Sequence, residues 1–182
     1  AGTQRELVAS ALRSLAGAIR KGLIVVNLVA GTRLEVKTYF ESEIRLSGLV
    51  SALKSGKVNI LFEENRPNYF EAFAKLMRKT DILWTKPSEL SFYTGLGIPI
   101  LIAPTVGSQE EFNREWLTYV GGGADAPNPK YMNEWLFDWI NSGALARMAW
   151  NGFINAPTHG AYRIESLLRG DEAVWRNLPL VV

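Results

Sequence analysis

The sequence predicts an α/β domain with a parallel, doubly wound, Rossmann-like sheet and a helical C-terminal tail. Short apolar runs, typical of buried strands, occur at residues 23–29, 57–62, 81–85 and 98–103. Between them, apolar residues recur at helical spacing over lengths that suit the crossover between two parallel strands. No such run follows Asn128-Pro129. We therefore expect a single domain over residues 1–182, with an α/β core at 1–124 and a helical tail at 125–182.

Composition narrows the class of protein. With 182 residues, 47% hydrophobic and 21% charged, the chain has the profile of one globular domain with a sizeable core. The net charge of +2 is too small to indicate a nucleic-acid partner. The chain has no cysteine, and we expect no metal site and no cofactor. We find no signal-peptide pattern and no apolar run of about 20 residues, so the expected location is the cytoplasm.

Capping boxes mark three helix starts, because a Ser or Thr three residues before a Glu can satisfy free backbone N–H groups reciprocally. They pair Thr3 with Glu6, Thr32 with Glu35 and Ser108 with Glu111. The first predicts a helix that starts near Thr3 or Gln4, and the second predicts a helix in the region up to Leu53.

Proline, asparagine and glycine set the remaining helix boundaries. Asn65 followed by Arg66-Pro67 predicts a helix start, with proline in the first turn, where it is favoured. Gly121-Gly122-Gly123 ends the helix that begins at Ser108. In the tail, Ser142-Gly143 separates two helices, and Gly170 closes the last one. His159, the only histidine, has no acidic or cysteine neighbour and is interpreted as a turn residue.

Polar residues follow the third and fourth predicted strands. In parallel α/β domains, ligands bind in the crevice outside the carboxyl ends of the strands. The residues there are Lys86, Ser88, Glu89, Thr105, Gly107, Ser108, Gln109 and Glu110. From the residues alone, Glu89 is a first-turn acid that compensates the helix dipole or a bidentate acceptor for vicinal hydroxyls. Gln109 and Glu110 are likewise either solvated residues of a capping box or donors and acceptors for sugar hydroxyls.

At these loops the sequence resembles a known family. Lys86-Pro87-Ser88-Glu89, Gly97-Ile98-Pro99 and Gly107-Ser108-Gln109-Glu110 with Asn113 are similar to the motifs of the C-terminal, nucleotide-sugar-binding domain of GT-B glycosyltransferases. The resemblance is to the group that holds the peptidoglycan N-acetylglucosaminyltransferase and the monogalactosyldiacylglycerol synthases, and it covers roughly residues 1–124. Pro87 and Ser88 stand where many relatives have Ser-Gly or Gly-Gly.

The resemblance implies a donor domain that binds a nucleotide diphosphate sugar, expected to be a UDP-sugar, for hexose transfer without an obligatory metal. The acceptor and the general base would belong to a domain N-terminal to this chain, so no catalytic residue is assigned and the isolated domain is expected to be inactive. The implied substrate-binding residues are Gly2, Thr3, Ser88, Glu89, Thr105, Gly107, Ser108, Gln109, Glu110 and Asn113. In this assignment Glu89 holds the ribose, and Gly2 and Thr3 end the diphosphate loop. Asn113 holds its loop or touches the donor.

Other functions stay open at this point. A non-catalytic nucleotide-binding or sugar-binding module and a UDP-sugar epimerase of the same fold are the alternatives, and peripheral association with a membrane is left open. Gly2 and Thr3 could equally form an ordinary helix N-cap with no ligand, instead of the end of a diphosphate loop.

The expected strand order raises a question about the start of the chain. In a 3-2-1-4-5 order, the first strand lies between those at residues 23–29 and 81–85. No strand precedes Ala1 in the sequence. We expect another segment or chain to fill that place, or those two strands to pair directly.

Overall fold

The computed structural model describes residues 2–88, 90–105 and 107–170 of an α/β protein with parallel strands. Its strands are β1 (Val26–Gly31), β2 (Val58–Phe62), β3 (Leu83–Thr85), β4 (Ile100–Ile102) and β5 (Gly123–Asp125). Its α-helices are α1 (Gly2–Lys21), α2 (Leu34–Leu46), α3 (Val50–Lys54), α4 (Arg66–Met77), α5 (Leu90–Gly95), α6 (Ser108–Tyr119), α7 (Met132–Asn141), α8 (Ala144–Asn155) and α9 (Gly160–Arg169). A 3₁₀ helix spans Pro129–Tyr131.

The chain forms two compact units, each made of two segments. The first unit contains Ala1–Thr80 and Pro127–Asp138, and the second contains Asp81–Ala126 and Trp139–Val182. The expectation of a single domain over residues 1–182 stays a prediction.

The first unit is built on a parallel pair of strands, β1 and β2, in which Val26 lies opposite Val58. Helix α2 contacts both strands, and α3 and α4 contact β2. Its fully buried residues include Leu12, Ile19 and Ile44, which lie on the apolar stripes that the helical spacing predicts. The Ser14 hydroxyl on α1 donates to Asn133 Oδ1 at 2.9 Å, which fixes the 127–138 segment to this unit.

The second unit is built on a parallel sheet in the order β3-β4-β5. Strand β4 lies in the middle, and its three residues are all buried. A core of Leu90, Ile100, Ile102, Leu117 and Val120 joins α5 and α6 to this sheet. Helix α8 packs on α5 and β5.

Most predicted boundaries are confirmed within a few residues. The side chain of Asn65 accepts a hydrogen bond from the Asn68 N–H at 3.0 Å and caps α4, with Pro67 in the first turn. Helices α7 and α8 are separated at Ser142-Gly143, and α9 ends at Gly170 in the left-handed conformation. His159 has a positive φ of 62° in the turn before α9, as a turn residue should.

Four expectations are wrong. The helix predicted up to Leu53 is two helices, α2 and α3, because Gly48 adopts a positive φ between them. Thr32 does not cap α2, whose N-cap residue is Arg33, and Ser108 does not cap α6, whose N-cap residue is Gly107. Strand β5 was not expected, since its glycines were interpreted as a helix stop.

Two outcomes were expected for the place of the missing first strand, and direct pairing of β1 with β3 is not found among the described residues. Among the described residues, β1 pairs with β2 only and β3 pairs with β4 only. Whether another segment pairs with the remaining edge of either strand stays a prediction.

Candidate functional site

The three strands of the second unit end at Thr85, Ile102 and Asp125, at one edge of the sheet. Helix α6 is the next helix after β4, and the side chains of its first two turns contact the loops that follow β3 and β4 and the end of β5. These contacts define the candidate site.

The loop after β3 is fixed to α6 by an ion pair and by hydrogen bonds. Lys86 Nζ lies 3.3 Å from Glu110 Oε1, and both side chains are largely shielded from solvent. Asn113 Nδ2 donates to the carbonyl oxygens of Pro87 at 2.9 Å and Ser88 at 3.3 Å. Asn113 therefore holds the loop after β3, which is a different loop from the one before its own helix that the sequence suggested.

The loop after β4 leads into α6 at Gly107, where any other residue would have a strained backbone. Gly107 has φ 106° and ψ 162°, in a region that side chains exclude. Because Gly107 is the N-cap residue, Ser108 is the first helical residue. Ser108 and Glu111 therefore do not form the predicted capping box. Glu111 Oε2 instead accepts a hydrogen bond from the Thr105 hydroxyl at 3.0 Å.

Arg114 connects α6 to the end of β5. Its Nε donates to Asp125 Oδ1 at 2.6 Å, its Nη2 donates to Asp125 Oδ2, and its Nη1 donates to Glu111 Oε1 at 2.7 Å. The hydrogen bonds from Arg114 hold the pKa of Asp125 below its usual value, against the opposing effect of burial. The same contacts raise the pKa of Arg114.

Sequence reasoning missed Lys86–Glu110 and Arg114–Asp125 as pairs. The available signal was the alternation of basic and acidic residues at the strand ends, but spacing alone does not say which of them meet.

The structure brings most of the predicted site residues together at this edge. Those of the second unit are Ser88, Thr105, Gly107, Ser108, Gln109, Glu110 and Asn113. Ser88, Gly107, Ser108 and Gln109 are exposed there. Gly2 and Thr3 belong to α1 in the first unit. Glu89 lies outside the described residues.

The described residues form no cluster of side chains that could bind a metal ion. Across residues 2–88, 90–105 and 107–170, no group of three or more His, Asp or Glu side chains could hold a metal ion. None of the described helices is both long enough and apolar enough to cross a membrane.

The fold and the site define an α/β protein whose exposed polar residues gather at the carboxyl ends of three parallel strands. Residues 49–162, more than half of the chain, match a family described as a domain of unknown function, DUF6938. The chain belongs to this family. No curated protein and no solved structure matches it.

Proposed function

We propose that this protein is the donor domain of a glycosyltransferase and that it binds a nucleotide diphosphate sugar, with UDP-sugar as the expected donor. The proposal includes the finer fold class, a doubly wound Rossmann-like sheet of the GT-B type. The acceptor would be held by a domain N-terminal to this chain.

One observation carries the proposal. The loop at residues 86–88 and the start of α6 at residues 107–110 hold two of the segments that resemble the GT-B motifs, and Lys86 meets Glu110, which lies 24 residues further along the chain. The loops after β3 and β4 converge on the first two turns of α6, at the strand edge where α/β domains bind ligands. This convergence supports a common ligand for both loops.

The exposed residues fit the chemistry of a sugar. The Gln109 amide offers a donor and an acceptor together, as adjacent hydroxyl groups require, and it lies exposed at the start of α6. The N-terminal end of a helix such as α6 favours negative charge, which suits a diphosphate whose charge grows as the glycosidic bond breaks. For Glu89, the proposed role of accepting the two ribose hydroxyls rests on the sequence resemblance.

Titration calorimetry of the full chain with UDP and with a UDP-sugar tests the proposal. We expect Glu89→Ala to weaken the binding of both ligands by about 1.5 to 3 kcal/mol, the usual effect of losing hydrogen bonds to a charged group. We expect Gln109→Ala to weaken the binding of the UDP-sugar more than that of UDP. Glu115→Ala, an exposed position further along α6, serves as the control and should leave both affinities unchanged.

Two results would contradict the assignments. Unchanged affinity in Glu89→Ala removes Glu89 from the site, and an equal loss for both ligands in Gln109→Ala removes the sugar contact. If the wild-type chain binds neither UDP nor several UDP-sugars, the donor-domain proposal itself fails.

A further inference from the structure

The first unit has a cleft of about 330 Å³ at the end of β1. Its lining includes Gly31 and Thr32 after the strand, Arg33 at the start of α2, and Arg66, Tyr69 and Phe70 in the first turns of α4. Arginines are the only charged side chains of this lining, so the cleft presents positive charge.

Both arginines occupy positions that helix energetics disfavours. Arg33 is the N-cap residue of α2, where Ser, Thr, Asp and Asn are preferred, and Arg66 is the first residue of α4. The N-terminal end of a helix carries partial positive charge, so a cation there is unfavourable and an anion is favourable. Glu35 compensates α2 in its first turn, whereas α4 has no acidic residue in its first turn.

The two guanidinium groups and the threonine hydroxyl of the cleft are available to a ligand. Neither the guanidinium of Arg33 nor that of Arg66 has a hydrogen bond or ion pair with another described residue. The capping hydrogen bond expected from Thr32 is not formed, so its hydroxyl is exposed at the cleft. Two guanidinium groups and a hydroxyl are suited to the oxygens of a phosphate.

An aromatic surface lies beside these groups. Tyr69 and Phe70 have ring centroids 5.6 Å apart, and 63% of Phe70 is exposed. A large exposed ring on the wall of a cationic cleft can stack on a planar ligand.

We propose that this cleft binds a phosphate monoester that carries an aromatic ring, with the phosphate between Arg33 and Arg66 and the ring against Phe70. An aryl phosphate and a nucleoside monophosphate share this chemistry. The inference is independent of the proposed donor site, because it depends only on residues of the first unit.

The test is a titration of the full-length, ¹⁵N-labelled chain with phenyl phosphate, uridine monophosphate and inorganic phosphate, followed by amide chemical shifts. We expect saturable shifts at residues 29–33 and 66–70, with phenyl phosphate binding more tightly than inorganic phosphate. Arg33→Gln and Arg66→Gln should each weaken the binding of phenyl phosphate about tenfold. Because each removes a cation from a helix start, neither should lower the thermal unfolding midpoint.

Arg45→Gln is the matched control, since Arg45 is exposed on the last turn of α2, away from the cleft. An equal loss of affinity in Arg45→Gln would indicate non-specific charge attraction and overturn the proposal, as would the absence of saturable shifts. Equal affinity for phenyl phosphate and inorganic phosphate would overturn the aromatic part. Tighter binding of uridine monophosphate identifies a nucleotide as the source, and tighter binding of phenyl phosphate identifies a simple aryl phosphate.

Gln109→Ala separates the two sites, because it should change UDP-sugar binding and leave phenyl phosphate binding intact.

Discussion

The polar side chains at the strand ends of the second unit pair with one another, whereas the arginines at the end of β1 in the first unit have no described partner. At the ends of β3, β4 and β5, the polar side chains are paired: Lys86 with Glu110, Thr105 with Glu111 and Arg114 with Asp125. At the end of β1, Arg33 and Arg66 face a cleft without a described partner. The difference arises from the helix that follows the strand. Helix α6 brings acidic and amide side chains back to the strand ends, whereas Arg33 is the N-cap residue of α2 and Arg66 is the first residue of α4.

Substitutions in the two regions should therefore affect different properties of the protein. A paired network keeps its loops in place before any ligand arrives, so substitutions in it should alter stability. An open pair of cations contributes little to stability, so substitutions there should alter binding. Three substitutions test this distinction.

The largest effect is expected from Gly123→Ala at the start of β5. A β-carbon on Gly123 would lie 2.5 Å from the Ile100 carbonyl oxygen and 2.8 Å from Leu117 Cδ2. The neighbouring strand and α6 would have to shift, so we expect the free energy of unfolding to fall by about 3 kcal/mol. Urea denaturation measures this change.

Gly17→Ala is the matched control, because Gly17 lies within α1 and a β-carbon there would meet nothing within 4 Å. We expect this variant to be more stable than wild type by up to about 1 kcal/mol, since alanine favours the helix. If Gly123→Ala were as stable as wild type, the close approach of β4 and β5 would be wrong.

A smaller effect is expected from Asn113→Ala. This change removes the hydrogen bonds to the Pro87 and Ser88 carbonyl oxygens, and it should lower the free energy of unfolding by about 1 kcal/mol. Glu115→Ala, on an exposed position of the same helix, should change it by less than about 0.5 kcal/mol. Equal values for the two variants would mean that Asn113 does not hold the loop after β3.

The smallest effect is expected from Arg114→Gln, and it depends on pH. Because Arg114 lowers the pKa of Asp125 from its usual value of 3.8, the pair stabilises the fold above that value, and its contribution is lost as the pH falls through the lowered pKa. Both side chains are partly exposed, so we expect only a small difference from wild type at pH 7, smaller than that of Asn113→Ala.

Urea unfolding at several pH values checks the sign of this effect. The difference between wild type and Arg114→Gln should shrink as the pH falls from about 5 to below 3.8. In an Asp125→Asn background, most of that pH dependence should disappear. A difference that grows as the pH falls would contradict the pairing.

The α/β class and most helix boundaries could be predicted because they depend on local patterns. Alternation of apolar runs and helical spacing is visible in a single sequence, and Asn65, Gly143 and Gly170 act on their own helix ends. Strand β5 could not be predicted in this way, since glycine is rare in strands. Gly123 is there because the Ile100 carbonyl oxygen approaches closely, which is a property of the packed sheet.

The sequence predicted which loops form the candidate site, but it did not predict which of their side chains form hydrogen bonds and ion pairs with one another. The carboxyl ends of parallel strands lie at one edge, so the sequence places the loops at residues 86–88 and 105–110 together. Which side chains pair depends on where α6 begins, and Gly107 is its N-cap residue in a backbone conformation that the sequence does not display. The capping box at Ser108 failed for the same reason.

The interleaving of the two units has a consequence for synthesis on the ribosome. All segments of the first unit have been translated by residue 138, whereas the second unit still awaits α8, whose Asn155 donates to the Val120 carbonyl oxygen across 35 residues. At 5–20 residues per second, the β3-β4-β5 sheet waits roughly 2 to 7 s for that helix after Val120 has been added. The unit that carries the candidate site is therefore completed later than the first unit as the chain emerges.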